Sequence, residues 1–431
     1  MVKGSSRKAK KADGGLLPVR SRMLTRSQLK NCKNFFHKLP LEVFHIILDH
    51  LSVLEVSVFC LASKEMTNHV VNYISTLAWK RKAMLQNFHT AACPQQKYFK
   101  DLGLLFKRCT MLLPTKERLR FTLHKFLQVP CFMQEACSAP NCIGLVRYGV
   151  FLQTLIAGWD DIECQRVFIS LCDVTNLLHR VQSILTGKPG LKCYQELELR
   201  YFCRQVLLDL SPNQLECQFW LIHLLKPWPL VSQAHLLLIL YGPLQPEGAI
   251  SWHELVVQGL PPDSLWDLAR AILLLFNKPE LKDWTMQSTI AIFEEITAIP
   301  EPWHTENVAR LLVLCGTRLC YTVLASRALC GRFQEISKMI VYIVLVCEKD
   351  GYQMTWAVKL VQQIHAGFSS AIEKVVFIHH LENMFSEVTR EFYTFNVGGN
   401  HLDNTEAFRT LRLLLHSNAQ FHAKFLHLLL R

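Results

Sequence analysis

Long hydrophobic runs are missing from this sequence. Half of its 431 residues are hydrophobic, yet the longest unbroken apolar stretch is the nine residues from Met339 to Cys347. A membrane-spanning helix needs about 20 consecutive apolar residues, and no signal peptide with a basic and then an apolar part opens the chain. We therefore expect no membrane segment, and a location in the nucleus, the cytoplasm or both.

Cysteine pairs at metal-binding spacing are also missing. The chain has 16 cysteines but no Cys-x-x-Cys pair, and most of them lie in helical apolar patterns, which is typical of reduced thiols packed in a core. One cluster, His124, Cys131, Cys137 and Cys142, could be drawn as a zinc site. Its spacing matches no common structural zinc pattern, so the sequence favours packed thiols and no metal.

Catalytic motifs are absent as well. The sequence contains no Gly-x-Ser-x-Gly, no His-Glu-x-x-His and no phosphate-binding glycine loop. The Gly187-Lys188 pair lacks the preceding glycine of such a loop and indicates a turn, and His379-His380 fits a helix surface. We therefore expect no catalytic residues, no cofactor and no enzymatic activity in the chain itself.

Acidic residues are scarce near the N-terminus. Residues 1–38 hold eleven Lys and Arg but a single acid, Asp13, and so carry +10 of the chain's net charge of +12. The first 34 residues show little apolar periodicity and are predicted to form a disordered basic tail.

Four basic residues of this tail, Arg7, Lys8, Lys10 and Lys11, are typical of a nuclear import signal. The alternative is a solvated basic tail without that role. Phosphate contacts are a third option, but no base-reading module accompanies the tail, so no direct binding of nucleic acid is expected.

Strand patterns are missing too, and helical patterns take their place. Apolar residues recur at helical spacing between short Pro and Gly breaks. The predicted fold class is all-α, with an irregular array of stacked antiparallel helices and no fixed repeat period. Beyond the first hundred residues or so, one helix is predicted between Pro114 and Pro130 and the others cover about 96–110, 143–157, 160–184, 192–209, 213–225, 263–276, 285–298, 304–315, 318–330, 332–348, 353–367, 369–394 and 404–430.

The chain is organised around the stretch from Leu39 to Ile74. Its spacing predicts three helices, and the second of them is apolar on more than one face. Three helices in about 40 residues cannot bury that much apolar surface alone. We therefore expect a partner protein to cover the surplus face.

Short motifs follow one another along this stretch: Leu39-Pro40-x-Glu42, Ile46-Ile47, Leu51, Glu55-Val56 and Ser63-Lys64. In this order they resemble an F-box, with Met66 near the place where that family often has Trp. The alternative is an ordinary three-helix start of a larger helical domain.

The resemblance to the F-box family implies the client-selecting subunit of an SCF ubiquitin ligase. An F-box docks on Skp1, which bridges to cullin-1 and the RING subunit, while the remaining body would hold an unidentified client protein. Other subunits supply the thioester chemistry, which agrees with the absence of catalytic motifs. The residues expected to contact Skp1 are Leu39, Pro40, Leu41, Val43, Ile46, Leu51, Val58 and Leu61.

Three parts of the chain are predicted on this basis. Residues 1–34 are the basic tail, residues 35–94 are the F-box with the basic helix that follows it, and residues 95–431 are the helical domain that binds a client or another partner. The second boundary is placed in the loop at 90–94.

Several body segments are similar to one group within the F-box family: 103–118, 151–160, 225–229 and 346–349. This similarity implies an association with meiotic chromosome behaviour in the germline. A second hypothesis is a nuclear helical scaffold that holds chromosome-associated proteins without cullin. Within the third similar segment, Trp228 is either an exposed recognition residue or a wedge between a turn and the core.

Overall fold

Helices form nearly all of the regular structure in the computed structural model, which describes residues 39–85, 96–126, 142–210, 214–277, 284–398 and 405–429. The α-helices are α1 (Leu41–Asp49), α2 (Val53–Phe59), α3 (Lys64–Ile74), α4 (Leu77–Lys80), α5 (Gln96–Cys109), α6 (Thr115–Phe126), α7 (Ile143–Ile156), α8 (Asp161–Thr175), α9 (Leu177–Leu185), α10 (Cys193–Phe202), α11 (Gln214–Leu225), α12 (Leu230–Tyr241), α13 (Trp252–Val257), α14 (Trp266–Phe276), α15 (Met286–Ile296), α16 (Thr305–Leu314), α17 (Gly316–Leu329), α18 (Phe333–Lys349), α19 (Met354–Gly367), α20 (Ala371–Gly398) and α21 (Thr405–Leu429). Short π-helical segments at Arg81–Leu85 and Cys203–Leu208 and a 3-10 turn at Pro262–Leu265 join them.

Strand pairing is confined, in these ranges, to one isolated bridge between Leu244 and Ile250. The prediction of an all-α fold is confirmed. Each described helix is also too short or too polar to span a membrane.

The chain divides into two compact units, the first ending at Ser52 and the second beginning at Val53. The described part of the first unit consists of α1 and the residues beside it. The second unit contains α2 to α21. The boundaries predicted from the sequence, 34/35 and 94/95, stay predictions.

The nine-residue apolar run of the sequence lies within α18. Every side chain from Met339 to Cys347 is buried, because α16, α19, α20 and α21 all pack against this helix. A helix covered on all sides needs no polar face. The run is therefore a core helix of the second unit.

α12 is another helix that is buried over most of its length, and the sequence patterns did not predict it. Residues 234–241 are all buried, and α10, α14 and α15 pack against them. Such a helix lacks the alternation of apolar and polar positions that reveals a 3.6-residue period. For this reason α12 is missing from the predicted helices between 225 and 263.

The single helix predicted over 160–184 is wrong. α8 ends at Thr175, and Asn176 adopts a left-handed conformation with φ of 52° before α9 begins at Leu177. Asn is among the few residues besides glycine that take this conformation readily. Apolar spacing continues on both sides of Asn176, so periodicity alone could not reveal the break.

A buried charged cluster ties α16 to the end of α18. Arg310 donates to Asp350 (Nε–Oδ2, 2.7 Å) and to Glu306 (Nη2–Oε1, 3.0 Å), and Lys349 donates to the same Glu306 oxygen at 2.9 Å. Burial raises the pKa of Glu306, but Lys349 and Arg310 outweigh burial and hold this pKa below its usual range. The cluster is therefore charged at neutral pH.

Candidate functional site

α1 presents apolar side chains to solvent on the first unit. Val43 and Ile46 are 40% and 57% exposed, Leu41 is exposed as well, and Phe44 and Leu48 are buried. Val43 and Ile46 are three residues apart and therefore share one helix face. The face opposite the buried residues is thus open to a partner.

Pro40 begins this helix in a slightly different way from the prediction. It was predicted in the first helical turn, but it is the N-cap residue, and its carbonyl accepts the N–H of Phe44 at 3.1 Å. Pro40 is exposed, whereas Leu39 and Leu51 are half-buried. These two leucines offer less free surface than the α1 face.

The corner between α2 and α3 is fixed by two hydroxyl groups. The Ser63 hydroxyl caps α3 by accepting the N–H of Met66 at 3.1 Å, and the Thr67 hydroxyl donates to the carbonyl of Cys60 at 2.7 Å. Caps of this kind stabilise a helix by about 1 kcal/mol. Met66, near the place where the F-box family often has Trp, is buried and belongs to the core.

A second pair of exposed apolar residues lies at this corner, on the second unit. Val58 and Leu61 are 53% and 52% exposed, while Val56 and Cys60 are buried. The N–H of Leu61 donates to the carbonyl of Val58 at 2.9 Å, which places the two side chains on one side of the turn. Burying such a side chain fully contributes about 1.5–3 kcal/mol.

Contacts with α5 hold α2, α3 and α4 in place. The Arg108 guanidinium donates to the hydroxyl of the buried Ser57 at 2.7 Å. Trp79 packs between Tyr73 and Phe106, with ring centroids 6.4 and 6.2 Å away. Sequence reasoning missed Arg108, because no local pattern connects it with a serine 51 residues earlier.

Nucleophilic chemistry is not favoured at this corner. Burial raises the pKa of the Cys60 thiol to about 11, even though the nearby Arg108 lowers it. The thiol is therefore protonated at neutral pH, and the arrangement suits docking of a protein surface.

Two predicted sites lie wholly or partly outside the described residues. The predicted import residues Arg7, Lys8, Lys10 and Lys11 lie outside them. Of the cluster that was considered as a zinc site, Cys131, Cys137 and the side chain of His124 also lie outside them. Cys142 is buried and accepts the N–H of Gly144 at 3.4 Å as the N-cap of α7. In the part of the chain that is described, no three His, Cys, Asp or Glu residues are placed to hold a metal ion.

Two adjoining cavities open on the second unit beside α12 and α14. Their volumes are about 520 and 600 Å³, and both are lined by Tyr241 and Asp267. Trp266 lines the smaller cavity and is half exposed, and Arg270 lines the larger one and is exposed. Aromatic and charged groups at the rim of a concave surface suit binding of a peptide segment.

The arginines that line these cavities differ in the partners that they already have. Arg204 donates to Asp209 at 2.8 Å and to Asp267 at 2.7 Å, and its guanidinium stacks on Tyr241. Arg200 lies deeper, donates to two backbone carbonyls, and burial lowers its pKa to about 10. Arg270 is therefore the cavity arginine best placed to meet an incoming acidic group.

Trp228 lies in the turn between α11 and α12. The residue is half-buried, its backbone N–H donates to the carbonyl of Leu225 at 3.1 Å, and its backbone carbonyl accepts the side-chain amide of Gln233 at 2.7 Å. These bonds hold the turn against the two helices.

Comparison with known proteins gives two similar curated relatives and one family. F-box only protein 47 of Mus musculus is 43% identical over 411 residues, which cover 93% of this chain and 91% of the relative. F-box only protein 47 of Homo sapiens is 42% identical over 403 residues, covering 91% and 89%. The family described as FBXO47, ARM repeats, matches residues 174–407. No solved structure matches the chain.

Proposed function

Because this chain belongs to the F-box only protein 47 family, we propose that it is the substrate-recognition subunit of an SCF ubiquitin ligase. In this proposal the F-box docks on Skp1, and Skp1 connects it to cullin-1 and the RING subunit. The helical body holds a client protein for ubiquitination. The chain contributes binding only, since the thioester chemistry belongs to other subunits.

The observation that carries the proposal is the exposed apolar face of α1. A solvated helix of a self-contained domain places polar residues on its outer face, whereas Val43 and Ile46 stand there instead. Binding interfaces concentrate their free energy in a few such buried anchors. The residues proposed to contact Skp1 are Leu39, Pro40, Leu41, Val43, Ile46, Leu51, Val58 and Leu61.

Replacing Val43 and Ile46 together by Asp should weaken capture of Skp1. Two carboxylates in an apolar contact lose their hydration without gaining a partner, so we expect a loss of at least about 30-fold, equivalent to about 2 kcal/mol. The measurement is the affinity of purified full-length chain for Skp1.

The matched control is Ile162→Asp with Ile169→Asp, because these α8 residues are also exposed and apolar. It should bind Skp1 as the unchanged chain does. If the α1 variant keeps its helical content and binds Skp1 with unchanged affinity, the F-box docking proposal is wrong.

The client surface is proposed to lie on the body, with the cavities beside α12 and α14 as its centre. Their rim offers an aromatic ring, Trp266, and an unpaired cation, Arg270, within the described part of the chain. The identity of the client does not follow from these groups.

Nuclear entry is proposed to depend on the basic tail. Replacing Arg7, Lys8, Lys10 and Lys11 by Ala should reduce nuclear accumulation while Skp1 affinity and the melting temperature stay unchanged, because isolated basic residues in a polar tail contribute little to a core. Imaging of the tagged chain measures this. Unchanged localisation would leave a solvated tail without import function.

A nuclear scaffold that acts without cullin is the second candidate, and the strong basic charge of the tail favours it. The two functions differ in one measurement. Proteins captured with the chain should accumulate when cullin neddylation is inhibited if the chain is an SCF subunit, and their levels should not change if it is a scaffold, in meiotic germ cells or elsewhere.

A further inference from the structure

The outer face of α21 carries a line of exposed apolar residues. Phe408, Leu415 and Leu426 are 57%, 51% and 56% exposed. The opposite face of the same helix is buried, for example at Leu414 and Phe421, where α18, α19 and α20 pack against α21. α21 is therefore apolar on both sides, although one side already suffices to attach it to the body.

These exposed residues follow the spacing of a helix–helix contact. Successive steps of four and three residues place side chains along a single line on a helix. The members of this line, called the outer seam, are Phe408, Arg412, Leu415, Ala419, His422 and Leu426. The seam extends over 18 residues, or about 27 Å, which is enough for a partner helix of five turns.

The outer seam includes one arginine, Arg412, and further basic residues lie beside it on α21. The sequence has no Asp or Glu between Ala407 and Arg431. Arg409, Arg412 and Lys424 are exposed, and none of the three forms an ion pair within the described residues. The two seam-side histidines have acidic neighbours from other helices: His416 meets Glu348 at 2.8 Å, and His422 meets Glu382 at 3.3 Å. The arginines and the lysine are thus the charges left for a partner.

We propose that the outer seam binds an acidic amphipathic helix of a partner protein. The partner's apolar residues would cover Phe408, Leu415 and Leu426, and its carboxylates would pair with Arg409 and Arg412. Charge complementarity across a helix pair sets both partner choice and orientation. This binding is separate from the docking of Skp1 and holds whether or not the chain acts in a ligase.

A second copy of the chain fits the seam poorly. In an antiparallel pair related by a two-fold axis, Arg409 and Arg412 of one copy would face Lys424 and His427 of the other. Like charges at such positions destabilise a helix pair. In a parallel pair, Arg412 of one copy would lie beside Arg412 of the other, which again brings like charges together.

An anionic membrane is another surface that would attract these basic residues, but the geometry of the seam disfavours it. Helices that lie in a membrane interface bury a broad apolar face. The seam is only a narrow line of apolar residues, because the wider apolar face of α21 is buried against α18, α19 and α20. A single helix matches a narrow line better than a lipid surface does.

The test uses the full-length chain and two synthetic helical peptides of 28 residues. Both peptides have Leu at the a and d positions of four heptads; one has Glu at the e and g positions, and the other has Lys there. Fluorescence anisotropy measures binding. The Glu peptide should bind at micromolar concentration, at least tenfold more tightly than the Lys peptide, and more weakly as salt is raised.

Variants connect that binding to the seam. Arg409→Glu with Arg412→Glu should weaken the Glu peptide at least tenfold and strengthen the Lys peptide. The control, Arg166→Glu with Lys188→Glu, changes the net charge equally at exposed residues of other segments and should change neither affinity. Skp1 capture by each variant shows that the chain is folded and reports the F-box separately.

Three results would overturn the proposal. The first is that the Glu peptide does not bind, or that it binds with an affinity that the arginine changes do not alter. The second is association with phosphatidylserine vesicles that the Phe408→Ser and Leu426→Ser changes abolish, which would assign the seam to a membrane. The third is a concentration-dependent dimer in sedimentation that the same serine changes dissolve, which would assign it to a second copy.

Discussion

At the scale of single residues, His235 is a polar group that the fold keeps dry. It is buried on α12 with its ring 5.5 Å from that of Trp252, and its Nε2 has no hydrogen-bond partner in the described part of the chain. Burial lowers the pKa of His235 to about 4. Trp252 in turn donates to the buried Glu196 at 3.0 Å, so the imidazole lies within a close-packed polar cluster.

This histidine should make stability sensitive to acid. An unfolded histidine titrates near pH 6.5, so between about pH 6.5 and 4 the unfolded state binds more protons and the free energy of unfolding decreases as the pH is lowered. From about pH 7 to 5 the loss from His235 should be about 2 kcal/mol. His235→Phe should remove that loss, as measured by urea unfolding at the two pH values, and the exposed His379→Phe should not. Equal pH dependence in all three chains would contradict the assignment.

At the scale of elements, the charged cluster between α16 and α18 can be compared with an exposed ion pair of similar geometry, because the two differ mainly in burial. The side chains of Arg310 and Asp350 are only 3% and 4% exposed, whereas those of Arg332 and Glu335 are 45% and 51% exposed. Both pairs are joined by short hydrogen bonds. Only the first would leave a buried charge behind if its arginine were lost.

Arg310→Met should therefore destabilise the chain by about 3–5 kcal/mol, because Asp350 would remain buried without a partner. Arg332→Met should cost less than about 1 kcal/mol, since water screens the exposed pair. Urea unfolding followed by circular dichroism compares the two. Similar midpoints for both variants would show that the buried cluster is not a source of stability.

Elements also set the limit of what the sequence could predict. Amphipathic helices such as α5 were placed within a residue, because one polar and one apolar face produce a visible period. α12 was missed because most of it is buried on every side and shows no alternation of polar and apolar positions. The Asn176 break was missed because a change of backbone conformation at one residue does not interrupt the apolar spacing. In the candidate site, exposed apolar positions such as Val43 followed from local spacing, whereas the bond from Arg108 to Ser57 depends on contacts between distant segments.

At the scale of the whole molecule, the relatives confirm the resemblance that the body segments indicated. The matching family is described as ARM repeats over residues 174–407, while no fixed period was visible in the sequence. The burial pattern explains that difference. Residues 234–241 of α12 and 339–347 of α18 are buried on every side, whereas α5 buries one face only, so successive units need not repeat the same positions.

The F-box helices of the second unit share a core with the body. Phe106 on α5 is fully buried, with ring centroids 6.2 Å from Trp79 on one side and 5.7 Å from Phe151 of α7 on the other. The predicted boundary at 94/95 runs between Trp79 and Phe106. It can still divide the binding of Skp1 from the binding of a client, but these contacts make folding a shared property of both sides.

Phe106→Ala should therefore loosen α3 and α4 although the changed residue belongs to the predicted client domain. Removing a buried ring costs about 3–5 kcal/mol and leaves a cavity, and here the cavity would lie directly beside Trp79. Amide hydrogen exchange over residues 64–80 should become faster in full-length chain, since local opening follows the loss of nearby packing. Phe293→Ala, an equally buried change on α15, should accelerate exchange in the body but not over 64–80. If exchange over 64–80 is the same in both variants, α3 and α4 fold independently, and the boundary at 94/95 is a folding boundary as well as a functional one.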